Sequence, residues 1–178
     1  SNKILMKRKY EEYGVRTARF REIGFDEDLN EKIQGLNFPM IVKAVDSSGS
    51  RGITRVNSAD EFENALKAVK SVTRTDHYIV EEFIEGKEFG AQAFVQNGKL
   101  KFAIPHGDYV FQGDTGVPIG HFAPYELSKD IIDDAEEQLE KAIKAMGLNN
   151  CAINADFILK DDKTYVLELG GRSGATCL

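Results

Sequence analysis

The chain has 178 residues, enough for one large domain or two small lobes around real cores. Apolar residues make up 42% and charged residues 29%, with no low-complexity tract, and the net charge of −6 comes from 23 basic and 29 acidic residues. The basic residues are spread along the chain, so nothing suggests a nucleic-acid surface, which needs a clustered basic face; no apolar run approaches the ~20 residues that span a bilayer.

Cys151 and Cys177 fall short of a disulfide framework, which points to a reducing, cytoplasmic setting. The opening residues do not read as a signal peptide. The ending GGRSGATCL has no closing helix, so the expectation is a piece of a longer protein.

In chain order, KILMKRKYEEY (3–13) places Ile4, Leu5, Tyr10 and Tyr13 near one helical face, and Gly14 stops the helix. TARFREI (17–23) predicts a short strand. DEDLNEKIQGL predicts a helix of about two turns. PMIVKAV (39–45) predicts a strand, DSSGSRG (46–52) a loop, and ITRV (53–56) the next strand. Ser58 to Glu61 has capping-box spacing and opens a helix to about Val69. HYIVEEFI (77–84) is an apolar strand ending in acids.

The second half is richer in strand patterns. Asn97-Gly98 is a strong hairpin signal. Residues 107–125 are Gly/Pro-rich and read as a long irregular, functional loop. Ser128 caps a helix with Ile131, Ile132, Ala135, Leu139, Ala142, Ile143 and Met146 on its apolar face, and Gly147 ends it. The fold class expected is α+β, in two lobes of residues 1–84 and 85–178.

The last hairpin, INADFILKDDKTYVLELGGR (153–172), carries one acid in each apolar strand, Asp156 and Glu168. A three-residue loop at Asp161-Asp162-Lys163 would put Asp156 opposite Glu168 and Asn154 opposite Gly170. A two-residue loop would put the two acids on different faces. Opposed like charges destabilise a strand pair, and a divalent cation such as Mg²⁺ reverses that sign. The other reading is a pair of acids pointing to solvent from amphipathic strands.

Two further stretches carry nucleotide chemistry. In MIVKAVDSSGSRGITRV (40–56), Lys43 interrupts an apolar strand ahead of a small-residue loop with Gly49 and Gly52. Such a loop lets backbone N–H groups approach phosphate oxygens, and Lys43 adds a point charge. A plain β-hairpin with a snorkelling lysine has the same pattern. In IVEEFIEGKEFG (79–90), a strand ending in Glu81-Glu82 runs into a linker whose open backbone groups suit an adenine edge. Phe83 and Ile84 would line the ring and Glu88 accept from ribose hydroxyls; a solvated acidic turn is the alternative.

Taken together and in this order, the segments resemble the ATP-grasp superfamily, which includes biotin carboxylase, carbamoyl-phosphate synthetase and D-alanine–D-alanine ligase. The resemblance covers essentially the whole chain. It implies two lobes clamping ATP, with Lys3 of SNKILMKRKYEEYGV as an early ATP contact. It makes Lys43 the phosphate lysine and Ser48, Gly49, Ser50, Arg51 and Gly52 the loop over the phosphates. By the same match Glu81, Glu82, Phe83 and Ile84 form the adenine linker, and Glu88 meets the ribose. Asp156 and Glu168 fall on the Mg²⁺ ligands, and Arg172 on the arginine that holds the acyl substrate or the phosphate in transfer. One departure stands out: the family usually has Asn two residues after the second acid, and this chain has Gly170, so Asn154 is the candidate substitute.

The implied activity is that of an ATP-dependent carboxylate–amine ligase passing through an acyl phosphate, with ATP, an unidentified carboxylate and a nucleophile as partners. The resemblance also implies a further N-terminal domain and a C-terminal continuation, so the isolated fragment is expected to be inactive. Two rivals share the same residues: phosphorylation of bicarbonate or carbamate as in carbamoyl-phosphate synthetase, and a nucleotide-binding module without catalysis. His77, His106 and His121 lie in different segments and show no Ser/His/Asp pattern; His121 reads as a solvent-facing loop histidine.

Overall fold

The computed structural model describes residues 2–47, 51–110 and 118–174. Contacts divide the chain into two compact units. One holds the chain start through Lys7 together with Ala18–Phe83, the other Arg8–Thr17 and the chain from Ile84 onward. Helix α1 (Lys3–Glu12) contributes to both.

The first unit is built on an antiparallel sheet of β1 (Phe20–Gly24), β2 (Met40–Ala44), β3 (Ile53–Val56) and β4 (His77–Glu82), in the order β1-β4-β2-β3. Strand alternation gives each face its own task. Met40, Val42, Ala44, Tyr78 and Val80 pack with Phe62, Ala65 and Val69 of α3 (Phe62–Lys70). Burial of each large apolar side chain there is worth roughly 1.5–3 kcal/mol. Ile79 faces the other way, in a small cluster with Ile4, Phe20 and Val45. That second face is also where Lys43 and Glu81 point.

Two local expectations are corrected in this unit. The predicted two-turn helix shortens to α2 (Leu29–Lys32), capped by the Asp28 carboxylate accepting from Glu31 N–H. Ser58 makes no side-chain cap. Ala59–Glu61 forms a 3₁₀ turn instead, and the Glu61 carboxylate reaches back to Asn57 N–H at 2.8 Å.

The second unit carries a five-stranded antiparallel sheet, in the order β7-β6-β5-β8-β9. Its strands are β5 (Lys87–Gln96), β6 (Lys99–Val110), β7 (Pro118–Phe122), β8 (Cys151–Lys160) and β9 (Lys163–Gly170). Asn97 and Gly98 take φ 55° and 70°, as a tight β5–β6 turn requires. The stretch 107–125 is not irregular throughout: β6 runs into it and β7 emerges from it, and the two pair antiparallel. Ala91 and Phe157 of the sheet line one hollow with Ala135 and Leu139 of α4 (Lys129–Met146). Ser128 caps α4 through Ile131 N–H, and Gly147 ends it at φ 64°.

Residues 8–17 join this unit through specific bonds. The Arg16 guanidinium holds both Asp134 oxygens, at 2.8 and 3.0 Å, and the Thr164 carbonyl at 2.9 Å. Val166 N–H donates to the Arg16 carbonyl, and the Thr17 hydroxyl to the Val166 carbonyl. Asp134 is drawn below its ordinary pKa: burial pushes it up, but the bonds from Arg16 and Thr164 outweigh that.

Candidate functional site

In the first unit, Lys7, Lys43 and Glu81 form a largely buried cluster on the face away from α3. Lys43 lies on β2 opposite Ile79 of β4, and Glu81 follows two residues later on the same face. The Glu81 carboxylate is 3% exposed and takes Lys43 Nζ at 2.7 Å and Lys7 Nζ at 3.3 Å. Burial alone would raise its pKa; the two ammonium groups overcome that and hold it below the usual range. Lys3, one helical turn before Lys7, donates to the Ser47 carbonyl at 3.1 Å, at the mouth of the predicted phosphate loop.

The Glu81 side chain is taken up by these two ion pairs, with Lys43 held at 2.7 Å. Lys7 was not singled out from the sequence, although its i,i+4 spacing from Lys3 was the available signal. Part of the backbone in the expected linker segment is engaged within the first unit. Glu82 N–H is spent on the Arg19 carbonyl and Phe83 N–H on that of Pro39, both at 2.9 Å. The Glu82 carboxylate binds Arg19 and Asn37, and Phe83 lies under the Arg55 guanidinium. Arg51 is exposed, and Gly52 sits at φ 66° with no room for a side chain beside Val72. Ser48, Gly49 and Ser50 lie outside the described residues.

In the second unit, Asp156 pairs directly with Glu168, and Asn154 with Gly170. The route to that register differs from the expected one. The turn has two residues, Asp161 and Asp162, both with positive φ (49° and 56°), and Lys160 pairs with Lys163. A two-residue turn alone would have placed Leu167 opposite Asp156. A β-bulge takes up Leu167 as an extra residue and returns Glu168 to the face of Asp156. The acids therefore share the sheet face turned away from α4, which is why otherwise apolar strands tolerate them.

Further polar groups share that face. Gly90 of β5 pairs with both Asp156 and His106, which sets the row His106, Gly90, Asp156, Glu168 across four strands. Glu88 lies two residues before Gly90. Gln92 donates to Asn154, which also supports Asp156. The Asp156 carboxyl is pushed up to about 6, first by burial and then by Glu168, Asp108 and Glu88. Tyr10 is fully buried; its hydroxyl pKa is driven up by burial and then by Glu168 and Asp156. Arg172 is exposed and donates to the Ser173 carbonyl.

The sheet also unites two histidines that the sequence left apart. His106 and Asp108 are alternate residues of β6, and His121 of β7 pairs with Asp108. His121 is therefore a strand residue, not a loop residue, and its side chain is only 8% exposed. Both imidazole Nδ1 atoms approach Asp108 Oδ1, His106 at 3.0 Å and His121 at 2.5 Å. His106 is held below its ordinary pKa by burial and then by His121, against the pull of Asp108. The missing signal was the β6–β7 pairing, which brings together residues fifteen apart in the chain.

Two antiparallel sheets with their helices, one bearing a lysine–carboxylate cluster and the other an opposed pair of acids, define an α+β class. Residues 36–178 match the family model for the ATP-grasp domain, and the chain belongs to that family. It is 29% identical to phosphoribosylamine–glycine ligase of Thermotoga maritima over 97% of this chain and 46% of that protein. It is 26% identical to D-alanine–D-alanine ligase of Bordetella avium, over 98% of this chain and 57% of the relative. The crystal structure of phosphoribosylglycinamide synthetase from Anaerococcus prevotii superimposes with a TM-score of 0.77 at 43% identity, covering 99% of this chain and 44% of that one. The chain spans about half the length of the curated relatives it matches.

Proposed function

We propose that this chain is the ATP- and Mg²⁺-binding core of a ligase that activates a carboxylate as an acyl phosphate for attack by an amine. The observation that carries the reading is the opposed pair Asp156 and Glu168. Two carboxylates placed face to face, one pushed up to about 6, form a site whose charge calls for a cation. Mg²⁺ fits this donor set, since it takes oxygen ligands and usually one or two carboxylates plus phosphate oxygens. When bound, it supplies neutralisation of the charge on the phosphates. Gly170 offers no side chain to a second ion. Asn154, opposite it, already accepts from Gln92 and supports Asp156, so we assign it to orienting Asp156.

The other roles follow the same reading. Lys43, held by Glu81, meets the phosphates, with Lys3 and the loop 48–52 beside it. The carbonyls of the linker that follows β4, at Phe83 and Ile84, face the adenine edge, and Glu88 the ribose. A substrate carboxylate oxygen attacks the γ-phosphorus and ADP leaves. The amine then attacks the acyl carbon, loses a proton, and phosphate departs. Positioning and charge stabilisation do most of this work, and Arg172 is assigned to the acyl or phosphoryl oxygens. The relatives named above are ligases, which supports the reaction class. No helix among the described residues is long and apolar enough to cross a membrane.

The test is ATP-dependent phosphate release by the whole protein across candidate acids and amines. ADP formation with an acid plus an amine supports the ligase. ADP formation with bicarbonate alone moves the protein to the carbamoyl-phosphate type. ATP binding with no ADP under any pairing would defeat the enzymatic reading.

A further inference from the structure

We propose that His106, Asp108 and His121 form a binding site for a first-row divalent transition ion of the Zn²⁺ type, separate from the Mg²⁺ site on Asp156 and Glu168. The backbone alone brings the three together. His106 and Asp108 are alternate residues of β6 and so share a face, and His121 is the cross-strand partner of Asp108. One ligand atom from each lies within 4.8 Å of the other two. Ligands at about 2.0–2.2 Å on a tetrahedral ion are themselves about 3.3 Å apart. His106 Nδ1 and Asp108 Oδ1 stand 3.0 Å apart and His121 Nδ1 and Asp108 Oδ1 2.5 Å, so admitting an ion requires the hydrogen-bonded pairs to open by less than about 1 Å through side-chain rotation.

Two further observations separate this cluster from an ordinary core histidine. The His106 ring is 1% exposed, yet its Nε2 has no hydrogen-bond partner among the described residues. A buried ring nitrogen without a partner is costly, so an apolar side chain would serve packing better, and the imidazole is kept for its other nitrogen, Nδ1, beside Asp108. Space for that ring is also reserved. A Cβ at Gly90 would lie 2.2 Å from His106 Cε1, so the imidazole occupies room that only glycine leaves. Neighbouring rings reinforce the convergence: His106 and His121 meet edge to face at 4.3 Å between centroids.

The donor set selects the kind of ion. Two imidazoles and one carboxylate suit Zn²⁺, Co²⁺ or Fe²⁺, whereas Mg²⁺ prefers oxygen ligands alone. Three protein ligands leave a coordination position for water or a substrate group, and the Asp108 side chain, 30% exposed, marks the side from which that ligand would enter.

The experiment is a Co²⁺ titration of the whole protein in millimolar Mg²⁺, which keeps the carboxylate pair occupied, read by visible d–d absorption. A single saturable Co²⁺ with nitrogen-ligand bands, displaced by Zn²⁺, is expected. His121→Ala should abolish the bands, and Asp108→Asn should weaken binding by about tenfold or more. Asp156→Asn combined with Glu168→Gln should leave the bands in place and lower affinity only modestly, since it removes nearby negative charge but no member of the donor set. Absence of saturable binding in the unaltered protein overturns the proposal, as do bands that survive His121→Ala or vanish with the Asp156 and Glu168 changes. Should His121→Ala fail to fold, imidazole ¹⁵N shifts decide the matter. The chain has three histidines, so Zn²⁺ should move the resonances of His106 and His121 and leave His77 in place; any other pattern overturns the assignment.

Discussion

The two units handle buried charge in opposite ways. In the first, Glu81 sits between Lys7 and Lys43, and attraction within the cluster fixes the position of each lysine. In the second, Asp156 faces Glu168, with Glu88 and Asp108 adding to the same negative field. One cluster is neutralised in part by its own lysines. The other, under the function proposed above, is neutralised by an added cation. The same substitution, a carboxylate made into its amide, should therefore act with opposite sign on the stability of the two units.

The largest effect expected is on turnover. Lys43→Ala or Glu168→Gln in the whole protein should lower ATP-dependent phosphate release by about a hundredfold to a thousandfold, the scale of losing a preorganised charge at a phosphoryl group. Near-normal turnover in either variant refutes the role given to that residue.

Next in size is the cost of opening the lysine cluster. Glu81→Gln leaves two buried ammonium groups facing a neutral amide, and removing one partner of a buried pair typically costs about 3–5 kcal/mol. Denaturant melts across pH check this and its sign. The folded chain holds Glu81 below its ordinary value, so the stabilisation is present above the unfolded carboxylate range and is lost as pH falls through the folded value. The variant should be weaker at neutral pH and show a flatter acid limb. An unchanged acid limb would mean that the lysines do not depend on Glu81.

The opposed acids should answer the other way. Without divalent cation, Glu168→Gln removes a cross-strand repulsion and should stabilise the protein by about 0.2–1 kcal/mol. The same change should abolish the rise in melting temperature that Mg²⁺ and ATP give the unaltered protein. Destabilisation without metal would show that Glu168 serves the fold and not a ligand.

Legibility in the sequence followed the range of the interactions. Strand alternation around Lys43, the hairpin at Asn97-Gly98 and the caps at Ser128 and Gly147 are local, and all were readable. The acids of the last hairpin were readable as a pair, but not the means of pairing them. A bulge is a property of two strands together, and nothing in TYVLEL marks Leu167 as the extra residue. Lys7 is hard to pick out because a lysine on a helix usually faces water; its ion pair with Glu81, 74 positions later, helps make its burial tolerable. The grouping of 8–17 with the second half rests on Arg16 reaching Asp134 and Thr164, a contact with no local trace.

The smallest effect tests that bulge. Asp161 and Asp162 both hold positive φ, which aspartate tolerates and glycine prefers. Asp162→Gly should relieve strain of order 1 kcal/mol while keeping the two-residue turn. With the turn kept, the bulge must remain, and Glu168 stays opposite Asp156. Stabilisation with unchanged Mg²⁺ affinity is therefore expected, measured by melts and isothermal titration. A variant that becomes more stable but loses Mg²⁺ binding would mean that the acids are aligned by a three-residue loop after all. In that case the bulge at Leu167 would not be what carries Glu168 back to the face of Asp156.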